Sequence, residues 1–334
     1  MRFLLNQRYG LFVMLSLMTV CSPAQAAHDA PAFSDPKVIS PMSSTWKLQA
    51  VTPEAKNRDA DLIISLGQQT YPALRATVER YAVEHKLNIV IRKGTCGISA
   101  GRLLRKTIDI GGFCCPPGAT DRLPGLIFHT LAIAPIALIT HPDNPISSVT
   151  QAEAKQIFSG KLSRWSALSS PVDRNSLIQP VGRLHCKVRP GHWRGPLAVE
   201  ENFTPRLYEV GVIPDMIAQV SKSPDTIGYE TLYMVRHHQS MGKVKVLQID
   251  NHHPSDEEYM LKGHYPLYRT YNLTTWKGSS KRHQRAQALV EYLRSYIEKH
   301  HKAFDFIPYT ALRKSGWKFR KDELIGEPVM TTPR

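Results

Sequence analysis

The chain has 334 residues, of which 42% are hydrophobic, enough for about two packed lobes, and this composition excludes a wholly disordered protein. Its 43 Lys and Arg residues outnumber 28 Asp and Glu residues, so the formal net charge is +15. This charge favours anionic partners. Because the basic residues are spread along the chain, the charge alone does not choose among small oxyanions, acidic surfaces and nucleic acid.

The N-terminus has the three parts of a secretory signal peptide. Two arginines precede an apolar stretch over residues 9–20, and an Ala-Gln-Ala ending at Ala26 predicts cleavage there, so residues 1–26 form the signal peptide. The apolar stretch is too short for a transmembrane helix, which needs about 20 residues. Val20 is branched where lipoprotein processing before Cys21 requires a small residue, so we expect no lipid anchor. The sequence therefore predicts export to an oxidising compartment, most simply the periplasm.

The first half of the predicted mature chain changes character at residue 61. Residues 27–60 are rich in Pro, Ser, Ala and Asp without a sustained period, which predicts a partly disordered leader or an edge strand. From residue 61 onward strand and helix patterns alternate. The predicted elements are a strand at 62–66, a helix from Pro72 with an apolar face, a strand at 88–92, a loop at 94–97, a helix at 99–106 and a strand at 108–111. This alternation predicts a parallel sheet with helices on its faces.

The second half continues the same alternation. A long apolar strand at 131–141 ends at a Pro-rich break, and Thr150 with Glu153 forms a capping box that predicts a helix to Phe158, with Gly160 as its C-terminal cap. The elements predicted after it are a strand at 178–182, a polar loop at 183–192, a helix at 193–203, extended chain at 226–233, a strand at 243–249 and a helix at 282–301. One side of the last helix is apolar and consists of Ala286, Leu289, Val290, Leu293 and Ile297.

Several short motifs occur along this order of elements. The most specific runs from His141-Pro142-Asp143-Asn144-Pro145 through Ile157-Phe158-Ser159-Gly160-Lys161 to Trp165; Asp109-Ile110-Gly111, Ile227-Gly228-Tyr229 and Tyr265-Pro266-Leu267 accompany it. Together they resemble the phosphate-type periplasmic substrate-binding proteins of ABC importers over residues 61–315. The resemblance implies a two-lobed α/β fold of the type II periplasmic binding proteins, in which each lobe is a mixed, mostly parallel sheet flanked by helices and the ligand cleft lies between the lobes. It also implies that residues 61–140 and 266–334 form lobe one and residues 141–265 form lobe two.

Ligands of open parallel sheets bind at the carboxyl ends of the strands, where helix N-termini offer N–H groups to an anion. Four loops of this chain have that placement, at 68–71, 95–99, 112–115 and 183–192. By the resemblance, Thr70 and Thr95 match hydroxyl contacts of the family, and Arg183 matches its ligand arginine. The predicted ligand-binding residues are Thr70, Tyr71, Thr95, Cys96, Gly97, Ser99, Cys114, Cys115, Arg183, Lys187 and Arg189.

The cysteines depart from the family pattern, because the four that remain after cleavage, Cys96, Cys114, Cys115 and Cys186, all fall in these loops. Three interpretations stay open. An even number of exported cysteines favours disulfides. Thiolates near histidines favour a soft metal ion or an iron–sulfur cluster, and the candidate ligands are Cys96, Cys114, Cys115, His185, Cys186 and His192. The third interpretation is an enzyme with a nucleophilic cysteine beside a histidine, although no hydrolase motif surrounds these cysteines.

These observations predict a non-enzymatic periplasmic solute-binding protein that closes two lobes over phosphate or a related oxyanion, for ABC-type uptake or sensing. The alternative is a periplasmic metal- or metallocluster-binding protein that uses the same cleft. In the first interpretation we expect a monomer without a resident cofactor, and an ABC permease at the inner membrane as its partner. Nucleic acid is not an expected partner, because no basic helix with interleaved aromatic residues occurs.

Two substitutions in the fourth loop distinguish the anion site from the metal site. For an anion, Arg183→Lys removes a bidentate guanidinium and should weaken binding by about 1.5–3 kcal/mol, whereas Cys186→Ser should have little effect unless a disulfide is lost. For a metal, Cys186→Ser should abolish metal retention and Arg183→Lys should not. Calorimetry with phosphate and elemental analysis measure both, and parent-like values in both variants would show that this loop is not the site.

Overall fold

The computed structural model describes residues 33–169, 173–184, 196–197 and 202–329. The predicted signal peptide, residues 185–192 of the fourth loop and most of the helix predicted at 193–203 lie outside these ranges. None of the helices in the described ranges is long and apolar enough to cross a membrane. These helices are α1 Ser44–Leu48, α2 Thr70–Glu84, α3 Cys96–Leu104, α4 Gln151–Ser159, α5 Ile213–Val220, α6 Leu232–His237, α7 Glu257–Leu261, α8 Lys281–His300 and α9 Tyr309–Lys314.

Most strands join one mixed sheet. In chain order the strands are β1 Leu62–Leu66, β2 Ile89–Lys93, β3 Ile110–Phe113, β4 Leu126–Thr140, β5 Ser148–Val149, β6 Gln179–Gly182, β7 Tyr208–Glu209, β8 Thr226–Thr231, β9 Lys245–Ile249, β10 Tyr268–Trp276, β11 Ile307–Pro308, β12 Lys318–Arg320 and β13 Glu323–Gly326. The main order across the sheet is β2-β1-β3-β10-β4-β8-β6-β7, and β9 and β11 also pair with β4. β12 and β13 form a separate hairpin.

The sheet contains two parallel groups joined by two long antiparallel strands. β1 runs parallel to β2 and β3, and β6 runs parallel to β7 and β8. β4 and β10 lie antiparallel to each other between these groups. Since parallel neighbours need crossover helices, the helices cover the faces of both groups. This is the mixed α/β architecture that the sequence predicts.

Strand β4 belongs to both groups. Its residues 126–135 pair with β10, and its residues 136–140 pair with β8 and β9. Every side chain from Phe128 to Thr140 is buried, which explains the long apolar run, because a strand covered on both faces has no polar side. The chain therefore passes from one group of strands to the other within a strand. The lobe limits at residues 140 and 266 stay a prediction.

Local sequence signals set two of the best-defined helices. Thr150 Oγ1 accepts a hydrogen bond from Glu153 N at 3.1 Å while Glu153 Oε2 accepts one from Thr150 N at 2.7 Å, which is the predicted capping box of α4. Gly160 ends this helix at φ 79°, a left-handed conformation that glycine adopts without strain. In α8 the buried residues are those of the predicted apolar side, Ala286, Leu289, Val290, Leu293 and Ile297.

Several predicted limits move in the structure. Helix α3 begins at Cys96 instead of Ser99, because Thr95 caps it by accepting a hydrogen bond from Ile98 N at 3.2 Å. Cys96 and Gly97 therefore lie in the first turn of a helix and not in a loop. The chain predicted as extended over 226–233 turns into α6 after Thr231. The strand predicted at 108–111 lies two residues later, at Ile110–Phe113.

The segment before β1 is more regular than the predicted leader or edge strand. Within residues 33–60 it contains α1 and no strand. Trp46 of α1 donates its indole N–H to Leu104 O at 2.7 Å, and the buried Lys106 places its Nζ 4.2 Å from the centroid of the Trp46 ring. A cation over an indole face is an attractive contact. This segment is therefore anchored to the C-terminal end of α3.

Asp109 ties the sheet to α8. Its side chain is 3% exposed; Oδ2 accepts hydrogen bonds from Ile63 N and Arg282 Nη2, both at 2.7 Å, and Oδ1 accepts one from Arg282 Nε at 2.5 Å. Removing this carboxylate leaves Arg282 Nε, Arg282 Nη2 and the backbone N–H of Ile63 without their acceptor, while Arg282 Nη1 keeps its hydrogen bond to Ala60 O. We therefore expect Asp109→Ala to lower the free energy of unfolding by about 3 kcal/mol, measured by urea denaturation.

The matched control is Glu79→Ala, which breaks the exposed ion pair between Arg75 and Glu79 within α2. Exposed pairs contribute little because water screens them, so the urea midpoint should not change. A loss at Asp109 as small as that at Glu79 would contradict the anchoring role of Asp109.

Candidate functional site

A cleft of about 780 Å³ lies between the two groups of strands, a volume within the range of about 300–1,000 Å³ that is typical of ligand sites. One wall is formed by α2, which comes after β1, and by residues 93–98 at the end of β2 and the start of α3. The other wall is formed by the beginning of α5 and the end of α6. The residues that line these walls include Gln68, Tyr71, Lys93, Thr95 and Ile98 on the first wall and Val212, Ile213, Pro214, His237 and His238 on the second. Of the predicted ligand residues, Tyr71 and Thr95 border this cleft.

Positive charge accompanies the apolar surface of the first wall. The guanidinium carbon of Arg75 and the Nζ of Lys93 each lie 5.6 Å from the centroid of the Tyr71 ring. Cations held near an aromatic ring remain partly hydrated and keep their charge. Arg75 also pairs with Glu79, which lines the same wall, so Lys93 supplies the net positive charge that this wall offers to an anion.

Arg183, directly after β6, is only 5% exposed and contacts the cleft through its lining residue Gln68. The buried region behind Gln68 is called the base of the cleft here. Arg183 Nη2 is 3.0 Å from Glu230 Oε2, and Glu230 is itself 2% exposed at the end of β8. Arg183 Nη1 donates to Gln68 Oε1 at 2.8 Å. Because Gln68 follows β1, this hydrogen bond joins the first group of strands to the second.

A second glutamine also bridges the two groups. Gln69 is buried and donates its side-chain N–H to Glu230 Oε1 at 2.5 Å. Gln69 Oε1 accepts hydrogen bonds from Thr231 Oγ1 at 3.1 Å and from the Tyr271 hydroxyl at 3.2 Å. Both oxygens of the Glu230 carboxylate are therefore occupied, one by Arg183 and the other by Gln69 and by Thr231 N.

Two of the cysteines meet beside this network. Cys96, in the first turn of α3, places its Sγ 3.4 Å from Cys114 Sγ and accepts a hydrogen bond from Cys114 N at 3.3 Å. A disulfide bond is about 2.05 Å long, so these two sulfurs are in contact but not bonded. Predicted pairings that involve Cys186 fall outside the described residues.

The thiol of Cys114, which is half-buried, is unusually acidic. Hydrogen bonds from Cys115 and then Cys96 hold its pKa well below the ordinary value, and the positive charges of Arg269 and Arg183 act in the same direction, against the opposing effect of burial. A thiolate is favoured where donors and cations surround it. Cys114 therefore brings negative charge next to the two arginines.

Arg269 is the residue of this region with the fewest polar contacts. It is 4% exposed on β10, and its Nε has no hydrogen-bond acceptor within the part of the chain that the structure describes. Burial alone lowers its pKa, but the negative charges of Cys114 and Glu230 outweigh this effect and raise it. Arg269 therefore remains a cation at the base of the cleft.

The other predicted ligand residues have different environments. Thr70 is buried and donates its hydroxyl to Gly67 O at 3.3 Å, and Gly97 lies in the first turn of α3. Ser99 is buried, and its hydroxyl oxygen lies 3.1 Å from both Ser65 O and Ser65 Oγ, contacts that hold α3 against β1; its place in the site stays a prediction. Lys187 and Arg189 lie outside the described residues.

The metal interpretation finds little support in the structure. In residues 33–169, 173–184, 196–197 and 202–329, no group of three or more His, Cys, Asp or Glu side chains is arranged to hold a metal ion. Three of the six predicted ligands, His185, Cys186 and His192, lie outside those ranges. The described members, Cys96, Cys114 and Cys115, cluster around the arginines instead of around a cation site.

Gln69, Glu230 and Arg269 are not among the ligand-binding residues predicted from the sequence. A signal was available for two of them. Arg269 is the only charged residue of the nine-residue strand β10, and Glu230 directly follows the motif that ends at Tyr229. A single charge within a buried strand has a functional or pairing role more often than a charge on a surface does.

Comparisons with known proteins agree with this architecture. Residues 50–295 match the family model of the PBP superfamily domain, so the chain belongs to the PBP superfamily. It is 24% identical over 244 residues to the phosphate-binding protein PstS of Bacillus subtilis (strain 168), a match that covers 70% of this chain and 75% of that protein. The family resemblance predicted from the sequence is confirmed.

Two solved structures show the same fold. A putative phosphate ABC transporter substrate-binding protein from Clostridium perfringens, solved with bound phosphate, aligns with a TM-score of 0.62 at 19% identity and covers 74% of this chain and 98% of that one. An ABC-type phosphate transport receptor from Vibrio cholerae aligns with a TM-score of 0.59 at 16% identity and covers 74% and 99%. The predicted two-lobed fold class is therefore confirmed.

The acidity of the Cys114 thiol generates a test of the site electrostatics. Because a lowered pKa keeps the thiolate at lower pH, alkylation of Cys114 by iodoacetamide should stay fast below pH 8, where an ordinary thiol with a pKa of about 8.5 slows tenfold per pH unit. Cys115→Ala removes the hydrogen bond that lowers the pKa of Cys114 most, so the pH dependence of the alkylation rate should move to higher pH. Mass spectrometry of the modified peptide gives the rates, and urea-unfolded protein is the reference. If the alkylation rate of Cys114 depends on pH in the same way in folded and in urea-unfolded protein, the lowered pKa of Cys114 is contradicted.

Proposed function

We propose that the protein is an exported, non-enzymatic solute-binding protein that captures phosphate or a closely related oxyanion in the cleft between its two groups of strands. The observation that carries the proposal is the buried Arg183, which stands at the cleft base and is held from both sides, by Glu230 and by Gln68. Membership in the PBP superfamily and the phosphate-binding relatives support it.

The chemistry of the surrounding groups fits a tetrahedral oxyanion. A guanidinium donates two parallel hydrogen bonds to an oxyanion, and the resulting charge-assisted bonds are about twice as strong as neutral ones. The nine-residue helix α3 begins at the cleft with its capping residue Thr95, so its positive end adds to the favourable potential. We propose Thr70, Tyr71, Thr95, Cys96, Gly97, Cys114, Cys115, Lys187 and Arg189 as further lining residues.

The hydrogen bonds of Gln68 and Gln69 across the cleft fit a protein that opens and closes. An anion on Arg183 takes the acceptor position that Gln68 occupies on Nη1, so ligand binding exchanges one interlobe contact for another. Hinge closure around a ligand is a common motion of binding proteins. We infer that the closed form is presented to an ABC permease or to a receptor at the inner membrane, after export directed by residues 1–26.

Calorimetry on the mature chain, residues 27–334, tests the proposal. The protein is unfolded in urea, dialysed and refolded so that any co-purified anion is removed, and it is then titrated with phosphate, arsenate and sulfate. Phosphate should bind at one site and raise the melting temperature, since a ligand at about 1,000 times its Kd adds about 4 kcal/mol of stability. Absence of heat and of any thermal shift with all three oxyanions, before and after reduction of the thiols, would contradict the proposed function.

A further inference from the structure

We propose that Arg269 is a second anion-binding residue of the cleft and that Arg183 and Arg269 together hold one doubly charged tetrahedral oxyanion. The inference rests on the proposed function and names the group that selects a dianion. Three observations support it. The register of β10 places Arg269 beside the cleft network, Arg269 has few hydrogen-bond partners, and another arginine, Arg294, has an ion pair within the fold.

The register of β10 brings Arg269 to the ligand edge of the first group of strands. Asn272 and Leu273 pair with Phe113 and Gly112, the last residues of β3. Because the pairing is antiparallel, residues 269–271 extend beyond the carboxyl end of β3, where the chain continues into Cys114. Side chains two apart in a strand share a face, and the Tyr271 hydroxyl, on the same face as Arg269, reaches Gln69 of the cleft network.

The strong hydrogen-bond acceptors at the cleft base are unevenly shared between the two arginines. The single carboxylate of Glu230 directly binds Arg183, and its other oxygen is taken by Gln69 and by Thr231 N. Arg269 interacts with Glu230 only at longer range, and the sulfur of its other negatively charged neighbour, Cys114, is a weak hydrogen-bond acceptor. Burying a guanidinium without good acceptors is costly. An oxyanion between the two arginines supplies acceptors that the described residues do not provide.

Arg294 is a half-buried arginine with a structural role, and its contacts can be compared with those of Arg269. The Nε of Arg294 is also buried without an acceptor. However, Arg294 Nη2 donates to Asp322 Oδ2 at 2.9 Å, and its guanidinium lies 4.6 Å from the centroid of the Tyr309 ring. Arg294 is thus neutralised within the fold, whereas Arg269 has no ion pair among the described residues. This contrast indicates that the partner of Arg269 comes from solution.

The position of Arg269 also explains how an anion could act on both lobes. Arg269 pairs with Ala134 of β4, one residue before Pro135, after which β4 leaves β10 and joins β8. Arg183 belongs to the second group of strands. A dianion that contacts both guanidiniums therefore links the crossover strands to the second group and favours one relative position of the two lobes.

Replacement of Arg269 separates a binding role from a structural one. A binding role predicts a large loss of phosphate affinity with only a small change in the melting temperature of the anion-free protein. Arg269→Met should raise the calorimetric Kd for inorganic phosphate about 100-fold or more, because a charged, bidentate donor is lost. The same change should lower the melting temperature of the anion-free protein less than Arg294→Met does, because Arg269 has no ion pair to lose among the described residues. Arg269→Lys keeps the positive charge but loses the planar guanidinium that donates two parallel hydrogen bonds, and it should raise the phosphate Kd about tenfold.

Arg294→Met is the matched control, since it should lower the melting temperature and leave the phosphate Kd within about twofold. The inference is overturned if the parent binds phosphate and Arg269→Met binds it as tightly, or if Arg269→Met resembles Arg294→Met in both measurements. If Arg269→Met does not fold, an unchanged Kd in Arg269→Lys overturns it equally. Failure of the parent to bind any oxyanion refutes the proposed function itself, and the inference with it.

Discussion

Two buried guanidiniums, those of Arg183 and Arg269, share one buried carboxylate at the base of the cleft, and the properties of the site depend on this shortage of strong hydrogen-bond acceptors. Glu230 directly neutralises Arg183 and leaves Arg269 with only long-range attraction. Hydrogen bonds from Cys115 and Cys96 lower the pKa of the Cys114 thiol, and the positive charges of Arg269 and Arg183 contribute in the same direction. The shortage of acceptors at Arg269 favours binding of an oxyanion, because the cost of burying the guanidinium has already been met in folding.

The fold places the two arginines near a position where both groups of strands are in contact. β4 pairs with β10 over its first part and with β8 and β9 over its last part, so the residues beside the crossing are near both lobes. Gln68 and Gln69 extend from the end of β1 to Arg183 and Glu230 of the second group. In the proposed mode of binding, the residues that hold the ligand therefore also set the relative position of the lobes.

Elements with a strong local pattern could be predicted from the sequence, and elements defined by distant partners could not. The capping box at Thr150 and the apolar side of α8 depend on residues three or four positions apart, and both are confirmed. Strand β10 was missed because both of its faces are buried and its Thr and Tyr residues show no alternation; only its pairing with β4 and β3 defines it. For the same reason the sequence placed the cysteine loops together but could not predict that Cys96 and Cys114 touch without a bond, or that Arg269 faces them.

The most direct test of the central claim is a crystal structure of the refolded protein grown with inorganic phosphate. The account predicts one phosphate at the cleft base, with its oxygens about 2.7–3.2 Å from the guanidinium nitrogens of both Arg183 and Arg269, and with Gln68 released from Arg183. A phosphate bound by Arg183 alone, with Arg269 still lacking an acceptor, or a phosphate bound outside the cleft would contradict it.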